Sequence, residues 1–531
     1  MSARISPRPI LRRRRIFAAA TAVTLVAGLV PAVVAIPAHA IPADAVSAPV
    51  PAPAGPTFSQ DGGALTLREP SAAGAPGYTI SIATSPFRVT TQRGGHTVLA
   101  TTASGAPQTG PADFTTSTGW ATATKVAAQR WHDGVLDLTL ATSQAGTTVA
   151  YRIAPQSDRY RITWSVDGAT ATQVGTHYDV ASAGHWYGMG EATTPDGGPG
   201  TQQPWPLDSG TVHDANMAPA EYLMTDPFWF TQRGTGLWVD THDVMDVSLN
   251  STTFAYTLTN SATMDSTVFV ENTPRDVYAD YLGITGPPSK SDATPAQYAK
   301  PLWNSWAQYY TTVSQASTLS WAKSLHDAGM PAQAIQVDDG WMSHYGDFTF
   351  NEKFPDPKQL SDQVHAMGDD FGLWVTLWIN KDAHNYSYAV QHGYLLKSKA
   401  DPSQPCDVTW WNGVAGIVDL ANPDARAWYV GELQKLESTY GVDGFKFDTR
   451  FFDESCAPSA GKTPLDYLTL GAQLTDQFDQ QGAGVRIHWT GSQKYGFVTR
   501  QVDKGTGWDS VQAAVTQNLA ISTIGYPFVE T

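Results

Sequence analysis

The period of the hydrophobic pattern changes near Ile284-Thr285-Gly286-Pro287-Pro288, and the change divides the 531-residue chain into two architectures. Before it, from about 58 to 281, short runs such as 78–82, 135–140 and 160–166 alternate apolar and polar residues between Gly, Asn, Asp and Ser turns. Such runs are half-buried strands, and they predict a large antiparallel β-sandwich over 59–290. After it, short apolar strands (302–307, 334–337, 373–378, 444–448) alternate with helical stretches (318–328, 357–371, 424–440). Strands apolar on both faces pair in parallel beneath helices, so a (β/α)8 TIM-type barrel is expected over 291–531.

In such barrels the chemistry gathers at the C-terminal ends of the strands. Those ends are polar here: Val337 is followed by Asp338-Asp339-Gly340-Trp341, Ile379 by Asn380-Lys381-Asp382, Phe447 by Asp448 and Ile487 by His488-Trp489. One Asp after a strand is usually a turn former or a helix cap. Several in the same relation to successive strands point to a site. Asp448 closes the strand Gly444-Phe445-Lys446-Phe447-Asp448, and Asp503 follows about 55 residues later. Two carboxylates on separate strands are what glycosidic bond hydrolysis needs, one as nucleophile and one as acid and then base.

Composition narrows the function classes. The chain is 42% hydrophobic and 15% charged, an ordinary folded protein, and its length suits two or three domains. The net charge of -16 meets no basic patch beyond the first fifteen residues, so nucleic acid is not expected as a partner. Arg12-Arg13-Arg14-Arg15, an apolar run from 16 to about 35 and Ala38-His39-Ala40 follow the order of a secretory signal peptide over 1–40. A single membrane anchor is the competing reading. Cleavage predicts a secreted protein with no stable membrane insertion, and 41–58, rich in Pro, Ala and Val, reads as a linker. Cys406 and Cys456 permit one disulfide in an oxidising compartment, the alternative being two free thiols. No CxxC or HExxH occurs, so neither a metal nor another cofactor is expected.

With these residues in view, the chain from roughly 180 onward resembles glycoside hydrolase family 31. Gly444-Phe445-Lys446-Phe447-Asp448 resembles the nucleophile strand of its α-galactosidase-like subgroup, which implies Asp448 as nucleophile. Gly491-Ser492-Gln493-Lys494-Tyr495-Gly496, then seven positions to Asp503 and five more to Trp508, is similar to the family's GxQRY segment and downstream WSGD; this implies Asp503 as acid/base. Gln336-Val337-Asp338-Asp339-Gly340-Trp341 looks like the second barrel strand, which implies that Asp338 or Asp339 contacts sugar hydroxyls. Trp410-Trp411-Asn412-Gly413 before Asp419, and Arg486 before the GxQ segment, match the same pattern. In the sandwich, Trp186-Tyr187-Gly188-Met189-Gly190-Glu191 resembles a loop that this family's N-terminal domain sends towards the active site.

The resemblance implies retaining hydrolysis of terminal α-linked sugars, with α-galactosides preferred and an oligosaccharide or glycoside as the partner. Lys446 and Arg486 are the expected cations near Asp448, and burial near apolar rings is expected around Asp503. Of the 18 Trp, those at 341, 410, 411 and 489 are expected to stack on sugar faces. Three departures stand out. Thr449-Arg450-Phe451 replaces the subgroup's AGE, and WSGD is reduced to Arg500-Gln501-Val502-Asp503. Gly525-Tyr526-Pro527-Phe528 normally leads into an Asp-containing strand end, whereas the sequence stops at Thr531, so an incomplete barrel is expected. Rival readings are an α-glucosidase or transglycosylase of the same family, a lyase on the same barrel, and an inactive carbohydrate-binding relative.

Overall fold

The computed structural model describes residues 55–530 except 73, 181–182, 195–200, 218–223, 289–299, 449, 476, 479–483, 486–487 and 496–497. The expected signal peptide (1–40), the linker up to residue 54 and Arg486 lie outside the described residues. Among those described, no helix is long and apolar enough to cross a membrane.

Among the described residues, the N-terminal region holds eighteen strands, from Thr57–Asp61, which starts inside the expected linker, to Thr263–Val270. Their pairings are antiparallel, and they form two sheets joined through the long strand Gly119–His132. That strand pairs with Asp113–Thr116 at its start and with Val135–Thr142 further along. Register shifts at Ala123/Lys125 and Val126/Ala128 bend it from one sheet into the other. Alternation does what the sequence pattern requires: Leu136, Leu138 and Leu140 are buried while Asp137 and Thr139 face outward. The layers meet through rings, Trp229 on Phe254 at 4.9 Å and Phe87 on Tyr151 at 5.3 Å.

Helix Pro274–Thr285 leads out of the sandwich, with Thr273 capping its start and Pro in the first turn. Among the described residues seven parallel strands follow, each paired with the next in chain order: Leu302–Asn304, Ala334–Val337, Asp370–Thr376, Gly444–Asp448, Gly484–Val485, Val498–Arg500 and Val529–Glu530. Helices Gln315–Asp327, Pro357–Ala366, Pro423–Tyr440, Asp466–Thr475 and Trp508–Ser522 lie between them. This is barrel winding. The helix expected over 357–371 stops at Ala366 because Gly368 turns the chain at φ 89 and the next strand begins at Asp370. The strand expected over 302–307 stops at Asn304, where Trp306–Tyr309 winds into a helical turn.

Beyond the third strand an excursion forms its own antiparallel sheet, with Trp378–Asn380 on Gly413–Ile417 and the latter on Asp407–Trp410. Cys406 and Cys456 form a disulfide, with Cα atoms 5.3 Å apart, tying this excursion to the segment after the fourth strand.

Sandwich and barrel share a buried polar hub. Asp226 accepts from the Tyr281 hydroxyl (3.2 Å), the Tyr526 hydroxyl (3.1 Å) and Gln493 Nε2 (3.2 Å), and lies 3.3 Å from His488 Nδ1. Burial pushes its carboxyl up, opposed by His488 and both hydroxyls. Asp226→Ala would strand several buried donors at once, so it should cost about 3 kcal/mol and lower Tm by several degrees. A melting curve superimposable on wild type would show that the hub does not hold the two regions together.

Candidate active site

Register brings the expected site residues to one end of the parallel sheet. Trp374 pairs with Lys446 and Thr376 with Asp448, so Lys446 and Asp448, two apart on one strand, face the same side. Lys446 is buried, and its ammonium donates to Asp338 Oδ2 at 2.6 Å and lies 3.5 Å from Asp448 Oδ2. The Trp374 indole N–H donates to that same Asp448 oxygen at 3.0 Å. Asn304 Nδ2, from the first strand, donates to Asp338 Oδ2 at 2.6 Å, and the Asp339 backbone N–H donates to Asp338 Oδ1 at 2.8 Å. Lys446 and Trp374 thus hold the carboxylate of Asp448, and Asn304 and the Asp339 N–H hold Asp338 on the other side of Lys446; the Asp448 side chain keeps 16% of its surface open.

Asp339 is under different constraints. The Tyr345 hydroxyl donates to its Oδ1, while its Oδ2 is buried with no hydrogen-bond partner. Burial pushes its carboxyl up to about 6; the Tyr345 bond opposes this, and the charges of Asp338 and Asp448 add to it. The Tyr345 ring meets Trp374, Trp410 and Trp411 edge-on at 5.8, 5.6 and 5.4 Å. Trp410 is partly buried and donates its indole N–H to Asn380, whereas Trp411 is 59% exposed.

Two of the four expected stacking rings are corrected. Trp341 is fully buried and donates to the Trp374 carbonyl at 2.8 Å. Trp489 is fully buried and donates to the Thr241 carbonyl of the sandwich at 2.9 Å. Neither ring has a face left for a sugar, and both serve packing.

Asp503 lies in the loop after the sixth strand, where its side chain is 64% exposed and accepts from the Arg500 guanidinium. The expectation of burial among apolar rings is corrected, since a loop rather than a strand carries this carboxylate. The loop is anchored from the sandwich. Glu191, fully buried, accepts from the backbone N–H groups of Met224 (2.9 Å) and Val502 (3.1 Å), with Lys504 Nζ at 3.5 Å. Burial raises the Glu191 carboxyl and lowers the Lys504 ammonium, each opposed by the other's charge. Gly190 makes the approach feasible: at φ 78, an added Cβ would lie 2.1 Å from the Met224 carbonyl oxygen.

Trp374, Tyr345 and Arg500 carry site contacts that sequence reasoning did not assign. Pairing plus alternation would have placed Trp374 beside Lys446 had the register been known. Among the described residues, the group of three carboxylates close enough to share a cation, Asp158, Glu271 and Asp280, belongs to the sandwich and the helix leaving it. It is not at the strand ends.

The Asp339 carboxyl is raised in the fold above its ordinary value, so its contribution to stability is complete below about pH 4 and is lost as pH rises through about 6. Asp339→Asn lacks that loss. It should be more stable than wild type at pH 7 by about 2 kcal/mol, with the difference vanishing near pH 4. Denaturant titrations at both pH values check this, and a difference that does not change with pH would contradict it.

Comparison with known proteins agrees with this architecture. Residues 293–531 match the glycosyl hydrolases family 31 TIM-barrel domain, and residues 72–286 match the N-terminal domain of myogenesis-regulating glycosidase. The chain is similar to the myogenesis-regulating glycosidase of Mus musculus, 25% identical over 409 residues, covering 70% of this chain and 55% of that protein. It is also similar to an alpha-xylosidase of Emericella nidulans, 25% identical over 276 residues, covering 51% of this chain and 34% of that enzyme. The chain therefore spans from a third to just over half of these relatives' length. Among solved structures, a family 31 sulfoquinovosidase from E. rectale shares the fold with a TM-score of 0.64 at 13% identity, covering 85% of this chain and 73% of that one. A family 31 barrel thus follows such an N-terminal domain, and the barrel domain over residues 293–531 belongs to glycosyl hydrolases family 31.

Proposed function

We propose that the chain is a secreted, retaining α-glycoside hydrolase acting on terminal α-linked sugars, with a preference for α-galactosides. The observation that carries this is Asp448. It is a barely exposed carboxylate at the end of a parallel strand, oriented by an indole N–H and neutralised by a buried ammonium, in a family 31 barrel. Asp448 attacks the anomeric carbon, forming a glycosyl-enzyme ester, while Asp503 gives its proton to the departing oxygen. Asp503 then takes a proton from the water that hydrolyses the ester. Donation by Asp503 requires its bond to Arg500 to open as substrate arrives. Asp338 and Asp339 contact sugar hydroxyls, and Trp410 and Trp411 offer rings.

Asp448→Asn should reduce turnover to background with the fold intact. Asp503→Ala should slow poor leaving groups by about 10²–10⁴-fold and activated aryl glycosides far less, with azide restoring the second step as a retained α-glycosyl azide. Normal turnover by the first variant, or equal slowing of all substrates without azide rescue in the second, would overturn the assignment.

The sugar preference rests on Gly444-Phe445-Lys446-Phe447-Asp448, the paired Asp338 and Asp339, and the Trp410-Trp411-Asn412-Gly413 run. Galactose and glucose differ at one C4 hydroxyl, which a site built to hydrogen-bond it discriminates strongly. Specificity constants on aryl α-galactoside, α-glucoside and α-xyloside should be highest for the galactoside. Relatives include an "Alpha-glucosidase 2" of Bacillus thermoamyloliquefaciens and the fungal alpha-xylosidase, so preference for either other sugar would reject the galactoside reading and keep the family.

A further inference from the structure

We propose that Arg500 is a positioning residue that couples Asp448 to Asp503 and sets the pH window in which the two carboxylates work. The inference rests on the glycosidase reading above and adds to it a residue that no motif assigns. In the pattern this chain resembles, a Trp opens the segment that ends in the acid/base Asp; here that position is Arg500.

Register places it. Phe447 pairs with Val485, Val485 with Thr499 and Thr499 with Val529, so one residue further on Asp448, Arg500 and Glu530 share a level of the parallel sheet. Residues at one level of a parallel sheet project to the same side. Glu530 does point inward: a Cβ added at Gly484, on the intervening strand, would lie 2.4 Å from Glu530 Oε1. The strand of Arg500 lies between those of Gly484 and Glu530, the Glu530 side chain reaches across it towards Gly484, and Arg500 Nη2 donates to Asp503 in the following loop. Its Nη1 is buried with no hydrogen-bond partner, so a donor stays unused inside the barrel mouth.

Among the described residues, the following charges face these groups. Arg500 faces Asp448, Asp503, Glu530 and Lys504. Asp503 faces Arg500 and Lys504, with Glu191 behind the lysine. Asp448 faces Lys446, Asp339 and Arg500, with Asp338 behind Lys446. Burial opposes the Arg500 charge, but the surrounding carboxylates outweigh it and hold the guanidinium firmly protonated. A fixed cation beside both carboxylates favours their ionised forms, and removing it makes each easier to protonate. The apparent pH limbs belong to the interacting pair rather than to either residue alone.

The test is the pH dependence of kcat/KM on an aryl α-glycoside for wild type, Arg500→Gln and Arg500→Lys. In Arg500→Gln both limbs of the bell should move to higher pH, by about one unit. Arg500→Lys keeps the charge and loses the planar fork, so its limbs should stay within a few tenths of a unit of wild type while poor leaving groups slow. Limbs of Arg500→Gln that superimpose on wild type, with only the rate reduced, would mean that Arg500 is merely structural. Should the Gln variant fail to fold, Arg500→Lys still decides: a displacement of a full unit despite the retained charge overturns the inference, and fixed limbs support it. Absence of turnover by wild type overturns both readings, because Arg500 then positions nothing. A wild-type bell with unmoved Gln limbs overturns only the role of Arg500.

Discussion

The barrel mouth is arranged around one buried ammonium. Lys446 has 7% of its side chain exposed, and a charge so placed must find direct partners or destabilise the fold. It takes Asp338 at 2.6 Å and Asp448 at 3.5 Å, and each carboxylate is then fixed by a further donor, Asn304 or Trp374. Neutralising one cation therefore organises residues from four strands. The same contacts orient the Asp448 carboxylate, so on the glycosidase reading a structural necessity doubles as alignment of the proposed nucleophile.

The sandwich is part of that site rather than an appendage. Glu191 reaches from it to hold the backbone of Val502, one residue before Asp503. Asp226 gathers Tyr281, Gln493 and Tyr526 across the same boundary, and the Trp489 indole closes it against Thr241. A loop carrying an exposed carboxylate would wander if left alone. Here its base is bonded to a fully buried acid from the other region.

Legibility in the sequence follows the range of the interaction. The strands Ala334–Val337 and Gly444–Asp448 were readable because each is a short, mostly apolar run with one polar residue inside it and an Asp at or just after its end. The start of Pro423–Tyr440 was marked by Asn422, which caps two backbone N–H groups ahead of a first-turn Pro. The excursion sheet through Trp378–Asn380 and Gly413–Ile417 was not readable, since its pairing joins segments whose composition suits a loop. Trp341 and Trp489 show the same limit from another side: composition identifies an aromatic ring but not which of its faces is covered. Lys446 and Asp338 stand 108 residues apart, and only the parallel register brings them together. Arg500 read as a decayed motif, because its meaning lies in neighbours on other strands.

The cleft also holds more negative charge than its stability favours. Asp339 sits among Asp338 and Asp448 with an acceptor oxygen that nothing in the protein fills, and burial raises its carboxyl to about 6. A buried acceptor without a donor costs about 1–3 kcal/mol in the free protein. On the glycosidase reading, a sugar hydroxyl is the missing donor, so that cost is relieved when substrate binds. Carboxylates clustered around a reacting sugar also favour the positive charge that develops on it in an oxocarbenium-like transition state. What makes Asp339 a liability to the fold is then what makes it useful to the reaction: its unfilled oxygen selects for a hydroxyl, and its charge is most stabilising when the sugar is most positive.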